Sequence, residues 1–187
     1  MLKWIGGCLV VVVILIAGGS YFAMRTMKES LSPDGSVRVA IDAPPARVFA
    51  SLAHGDSAAT WMAAGNKVTT NRHGPFQIGD SIRVEMRSTL GMKPQPMIWV
   101  VKDVIPDQRI VFQLNAQGAP MTATRSDSLF AKGDSTVVMS RFVSLLPDSA
   151  KASSTSDLML TMFQMHSRLE LESLKARIEG KPPQIGR

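Results

Sequence analysis

The chain has 187 residues, of which 45% are hydrophobic and 19% charged, with a single cysteine. That length allows one ordinary domain plus a short appendage; the apolar content excludes a disordered chain, and one thiol excludes an internal disulfide scaffold. Lys and Arg outnumber Asp and Glu by 21 to 15, a dispersed excess that suits solubility or loose attraction to anionic lipid and gives no basic stripe for a nucleic-acid partner.

From Trp4 to Met24 run 21 consecutive residues without a charge, centred on Leu9 to Ile16. As a helix at about 1.5 Å per residue this covers about 30 Å, the hydrocarbon thickness of a bilayer. Three readings compete: a retained signal-anchor helix, a cleaved signal peptide and a buried core helix. The stripe is apolar on every side, which disfavours a core helix, and small residues are poorly placed for cleavage after Ala23. Residues 1–24 are therefore expected to form a transmembrane signal-anchor. Lys3 is opposed by Arg25 and Lys28, a near tie under the positive-inside rule; the short N-terminal tail tips the expectation towards an exported domain. Residues 25–35 are polar, carry the turn-forming Pro33-Asp34-Gly35, and read as a linker.

Ser36 to Ile41 alternates as a half-buried strand, with Val37, Val39 and Ile41 on one face. Pro44-Pro45 opens a short helix carrying Val48, Phe49 and Leu52, which ends near His54-Gly55; a second is expected from Ser57 to Ala64. The period then changes to two: Ile82, Val84 and Met86 alternate with Arg83, Glu85 and Arg87, and Met97, Trp99 and Val101 with Ile98, Val100 and Lys102. Pro106-Asp107 and Lys132-Gly133-Asp134 are tight-turn signals between Val100–Ile105 and Ile110–Leu114, and between Thr122–Ala131 and Thr136–Leu145. After a polar loop, a helix is capped at Ser156 or Asp157 and stops at Glu179 before Gly180 and Pro182-Pro183. Leu158, Met162, Met165 and Leu169 form one stripe on it, and Leu160, Phe163, Leu171, Leu174 and Ile178 an adjoining one. The predicted class is α+β: a curved antiparallel sheet of six or seven strands around one long C-terminal helix, a helix-grip arrangement, preceded by the transmembrane helix.

The segment Val37-Arg38-Val39-Ala40-Ile41-Asp42-Ala43-Pro44-Pro45-Ala46-Arg47-Val48-Phe49, with Trp61, Gly79-Asp80, Val104 to Ile110, and the closing Leu171 to Gly180, resembles the START-like (SRPBCC) superfamily. That superfamily includes polyketide cyclases, lipid-transfer domains and the pollen-allergen type. The resemblance covers residues 36–180, leaving 181–187 as a tail. It implies the helix-grip fold and a hydrophobic small molecule or lipid as partner, but no particular reaction. Bacterial members with one N-terminal helix fit the outline, so the expected location is the bacterial inner membrane, single-pass, with the domain on the periplasmic side.

The candidate ligand-lining residues are Trp61, Met86, Trp99, Phe112, Met139, Met162, Met165 and His166. Among the 12 methionines, those of the domain suit either an adaptable apolar cavity or a loosely packed core. His166 offers a proton donor on the long helix, against the plainer reading of a boundary side chain. His54, Asp56 and His73 bind a metal only if their loops fold together, and neither a metal nor a cofactor is expected. Glu85 and Arg141 face the grip or the wet convex side according to register. The expectation is a monomeric, non-catalytic binding protein that sequesters or transfers its ligand near the bilayer. Its rivals are a cyclase or dehydratase using His166, Glu85 or Arg141, and an interaction scaffold with a filled core.

Overall fold

The computed structural model describes residues 35–62, 67–85, 96–116, 122–145 and 154–181. The expected membrane span 1–24, the linker up to residue 34 and the last six residues lie outside the described residues. Among the described residues no helix is long and apolar enough to cross a membrane.

The order is β1 (Ser36–Ile41), α1 (Pro45–Leu52), α2 (Gly55–Trp61), β2 (Lys67–Thr70), β3 (Ser81–Glu85), β4 (Pro96–Ile105), β5 (Arg109–Ala116), β6 (Thr122–Lys132), β7 (Ser135–Leu145) and α3 (Ser154–Glu179). The seven strands form one sheet in the order β1-β7-β6-β5-β4-β3-β2, antiparallel at every pairing. The sheet curls into a half-barrel that takes the C-terminal helix, the predicted helix grip.

Local sequence explains most boundaries. Pro45 lies in the first turn of α1, where no N–H is needed, and Val48 and Leu52 bury its inner face. His54 then turns extended and bridges Pro75, so α2 starts at Gly55, two residues before the expected Ser57. The expected end at Ala64 falls outside the described residues. Asp107 (φ 60°) and Gly133 (φ 60°) occupy the left-handed region in the two predicted tight turns. Gly180 (φ 68°) closes α3, and the Lys181 N–H donates to the Ala176 carbonyl at 2.9 Å, the long bond of a Schellman ending. β2 was not foreseen: four residues, Lys-Val-Thr-Thr, alternately exposed and half-buried at the sheet edge, carry too little apolar pattern to register.

The concave face supplies the core through every second residue: Ile82 and Val84 on β3, Trp99 and Val101 on β4, Ile110, Phe112 and Leu114 on β5, Val138 and Phe142 on β7. α3 corrects the sequence reading. Its buried line runs Gln164, Ser167, Glu170 and Leu171, Leu174, Ile178, at alternating spacings of three and four. Met162 (57% exposed) and Leu169 (41%) face away, and the stripe expected through them is not the inward one. Towards the N-terminal half the buried line turns polar, and β6 explains why.

Candidate functional site

On β6 the residues in phase with the core are Ala123, Arg125, Asp127 and Leu129. Two of the four are charged, and both are buried. Register sets Arg125 between Phe112 on β5 and Phe142 on β7, and Asp127 between Ile110 and Ser140. The Arg125 Nε–H donates to both Asp127 oxygens at 3.0 and 2.9 Å, and Nη1–H donates to Glu170 Oε2 on α3. The other Glu170 oxygen lies 3.2 Å from His166 Nε2, one turn earlier, on a side chain 28% exposed. A chain of polar contacts thus runs from the sheet through the core to His166 at the edge of the helix.

Burial alone pulls the Arg125 guanidinium towards losing its proton, but Asp127 and Glu170 outweigh it and raise the pKa above the ordinary arginine value. For Glu170, burial pushes the carboxyl up, while the charge of Arg125 and then the His166 hydrogen bond hold it below the usual carboxylate range. Both groups are therefore ionised at neutral pH.

Rings surround the guanidinium. Its carbon lies 5.6 Å from the centroid of the Trp61 ring and 5.7 Å from that of Phe142, within cation–π range. Phe142 stacks on Phe163 of α3 at 5.4 Å, and Trp99 meets both edge-on at 6.0 and 6.4 Å. Several polar atoms here find no partner in the protein: Arg125 Nη2, Trp61 Nε1, Ser140 Oγ and Ser167 Oγ. A buried donor left unmatched costs about 1–3 kcal/mol, so this cluster is unfavourable for folding alone.

The chain belongs to the polyketide cyclase/dehydrase and lipid-transport family. Its family model, "Polyketide cyclase / dehydrase and lipid transport", matches residues 33–179. No curated protein matches significantly. Among solved structures the chain is similar to Mll3558 of Rhizobium loti, at 22% identity and TM-score 0.57, covering 75% of this chain and 93% of that one. It is similar to Ms6760 of Mycobacterium smegmatis, at 12% identity and TM-score 0.58, covering 78% and 90%. A third is CV1439 of Chromobacterium violaceum, at 17% identity and TM-score 0.53, covering 79% and 99%. At these identities the likeness shows the fold alone.

The structure brings together Trp61, Trp99 and Phe112, all buried in the concave core. His166 and Met165 are half-buried on α3. Met139 alternates with buried Val138 and Ser140, so it belongs to the opposite face of β7. Met162 is turned outwards, and Met86 lies outside the described residues. Glu85 lies on the convex face beside Arg83 (3.1 Å) and Lys67 (3.9 Å), and Arg141 is exposed on the same face. His54 and His73 do converge on Asp56, at 3.7 and 2.7 Å through their Nδ1 atoms, and the His73 hydrogen bond holds the Asp56 carboxyl below its ordinary value. Among the described residues, however, no group of three or more His, Cys, Asp or Glu is arranged to hold a metal ion.

Arg125, Asp127 and Glu170 were missed by the sequence reading. A signal existed: Arg125 and Asp127 are opposite charges two residues apart, in phase with Ala123 and Leu129. A cleft of about 390 Å³ lies elsewhere, between β1 and the last turns of α3, lined by Ala40, Asp42, Glu172, Lys175, Glu179 and Lys181 among others. Its charged wall contrasts with the ring-lined interior.

Proposed function

We propose that the domain binds a hydrophobic small molecule or lipid between its curved sheet and α3, and that the apolar segment 4–24 holds it at a bilayer. The observation that carries this reading is Arg125, a buried guanidinium with one amino group unmatched, set among Trp61, Phe112 and Phe142. An apolar trio of similar volume in place of Arg125, Asp127 and Glu170 would be expected to fold as well or better. A cluster kept against that preference, with unmatched donors, fits a ligand site better than a packing device. The rings supply the driving force, about 25 cal/mol for each Å² of apolar surface covered.

The family description supports the same reading, since it joins cyclase and dehydrase activity with lipid transport. The function proposed is sequestration or transfer by a monomeric, membrane-tethered domain, exported from a bacterial inner membrane. A second reading is favoured by one contact, His166 Nε2 to Glu170 at 3.2 Å: an imidazole oriented by a buried carboxylate at the edge of the core can move a proton in a cyclase-like reaction.

Native mass spectrometry of the gently extracted full chain tests the binding reading. The expected spectrum contains a protein-bound apolar mass that is lost on collisional activation. A bare chain that also leaves an apolar fluorescent probe unbound contradicts it.

A further inference from the structure

The methionine and leucine stripe that the sequence sets on α3 is turned to solvent. Met162 is 57% exposed and Leu169 41%, with Met165 half-buried between them. At about 3.6 residues per turn, these three lie across the helix from the buried Gln164, Ser167, Leu171 and Leu174. α3 therefore carries a second apolar line that the sheet does not use.

Charge on the same stretch is one-sided. From Leu160 to Leu169 the ionisable side chains are His166 and Arg168, and Arg168 is exposed. No carboxylate lies among them. A helix face of this composition suits an anionic lipid surface: the apolar side chains enter the headgroup–acyl boundary while the guanidinium stays with the phosphates.

The point where the chain enters the domain selects between a bilayer and another protein as the occupant. A β-carbon on Gly35, the first described residue, would lie 3.0 Å from Gln164 Nε2, so residues 1–34 are joined to the domain against α3, beside the stripe. Met24, the last residue of the uncharged run, precedes Gly35 by eleven residues, at most about 40 Å of extended chain. A covalent tether of that reach turns docking into an intramolecular event, for which a weak contact suffices. A second copy needs more: a specific dimer buries about 800 Å² on each partner, and the stripe from Met162 to Leu169 occupies only about 10 Å of helix.

We propose that Met162, Met165 and Leu169 rest in the interfacial layer of a bilayer, with Arg168 among anionic headgroups, so that α3 lies along the membrane surface. This rests on the reading that segment 4–24 holds the chain at a bilayer.

The test uses the full chain with Cys8→Ser, which removes the single native thiol. An environment-sensitive fluorophore is attached to Met162→Cys, to Leu169→Cys or, as the control, to Val143→Cys, a site 45% exposed on the convex face of β7. Each is reconstituted into phosphatidylcholine–phosphatidylglycerol vesicles that carry a nitroxide lipid. Both α3 probes are expected to shift to the blue and to be quenched by the nitroxide several-fold more than the Val143→Cys probe. Adding Leu169→Glu to Met162→Cys should reverse the shift and the quenching while the circular dichroism stays unchanged. If the α3 probes are quenched no more than the control in chains that resist carbonate extraction, the proposal is overturned and the tether survives. Probes shielded from aqueous iodide yet untouched by the nitroxide lipid place a second copy or the chain's own N-terminal segment on the stripe, which also overturns it. A chain that carbonate strips from the vesicles removes the tether and this proposal together.

Discussion

Arg125 is where single-residue energetics weigh most. Its partners Asp127 and Glu170 are buried on either side of the sheet–helix boundary, so removing the guanidinium strands two carboxylates in the core. Breaking a buried pair in this way costs about 3–5 kcal/mol. Arg125→Met should therefore lower the unfolding free energy by about that amount, read from chemical denaturation. The triple change Arg125→Met, Asp127→Leu, Glu170→Met should recover most of the loss, because an apolar replacement of a whole buried ionic cluster is neutral or stabilising. On the convex face the Arg83–Glu85 contact is of similar length, 3.1 Å, yet both side chains reach water and such pairs contribute about 0–1 kcal/mol. If Arg125→Met and Arg83→Ala unfold at the same denaturant concentration, the network has no structural weight.

At the scale of elements, the hairpins and the long helix were legible because period two and period 3.6 are local signals. Ile82 with Val84, and Trp99 with Val101, do face the core as the alternation implies. The inward face of α3 was not legible from hydrophobicity, since its N-terminal half buries Gln164, Ser167 and Glu170 and exposes Met162 and Leu169. A carboxylate on a helix defaults to solvent unless a partner is known, and Glu170 finds its partner 45 residues away in sequence. Of this cluster the buried rings Trp61, Trp99 and Phe112 were thus legible in the sequence, and the buried charges were hidden. The join between α1 and α2 was half legible: His54-Gly55 marked the break but not the contact that fixes it. A β-carbon on Gly55 would lie 2.0 Å from the Arg72 carbonyl oxygen, while the Gly55 N–H is already tied to Gly74 at 2.8 Å. Neither backbone can yield cheaply, so Gly55→Ala should destabilise by more than about 2 kcal/mol. Gly133→Ala, with open space around it but φ at 60°, should lose only about 1 kcal/mol. Thermal unfolding of the two variants checks the order; a Gly55→Ala protein as stable as Gly133→Ala contradicts the close approach.

Among the described residues, three carboxyls in separate regions are held below their ordinary pKa values: Asp56 chiefly by His73, Glu179 by Lys181 and the Asp42 N–H, and Glu170 by Arg125 against its own burial. Each binds its proton less readily folded than unfolded, where the values are 3.8 for Asp and 4.5 for Glu. Their stabilisation is complete above the unfolded values and disappears as pH falls through the lower folded ones. The unfolding free energy carried by these carboxyls should therefore hold steady from neutral pH down to about 5 and decline below it. Salt separates the contributions. Asp56 is 52% exposed, so its attraction to His73 is open to screening once the Debye length shrinks to about 3 Å, at about 1 M salt. Glu170 and Arg125 are shielded from ions by the core. Raising the salt should therefore leave most of the acid limb in place, whereas Glu170→Gln, which keeps an acceptor for Arg125 but has no proton to gain, should flatten it. An acid limb that vanishes in salt and persists in Glu170→Gln would place the pH dependence on the surface and remove the buried network from the account of stability.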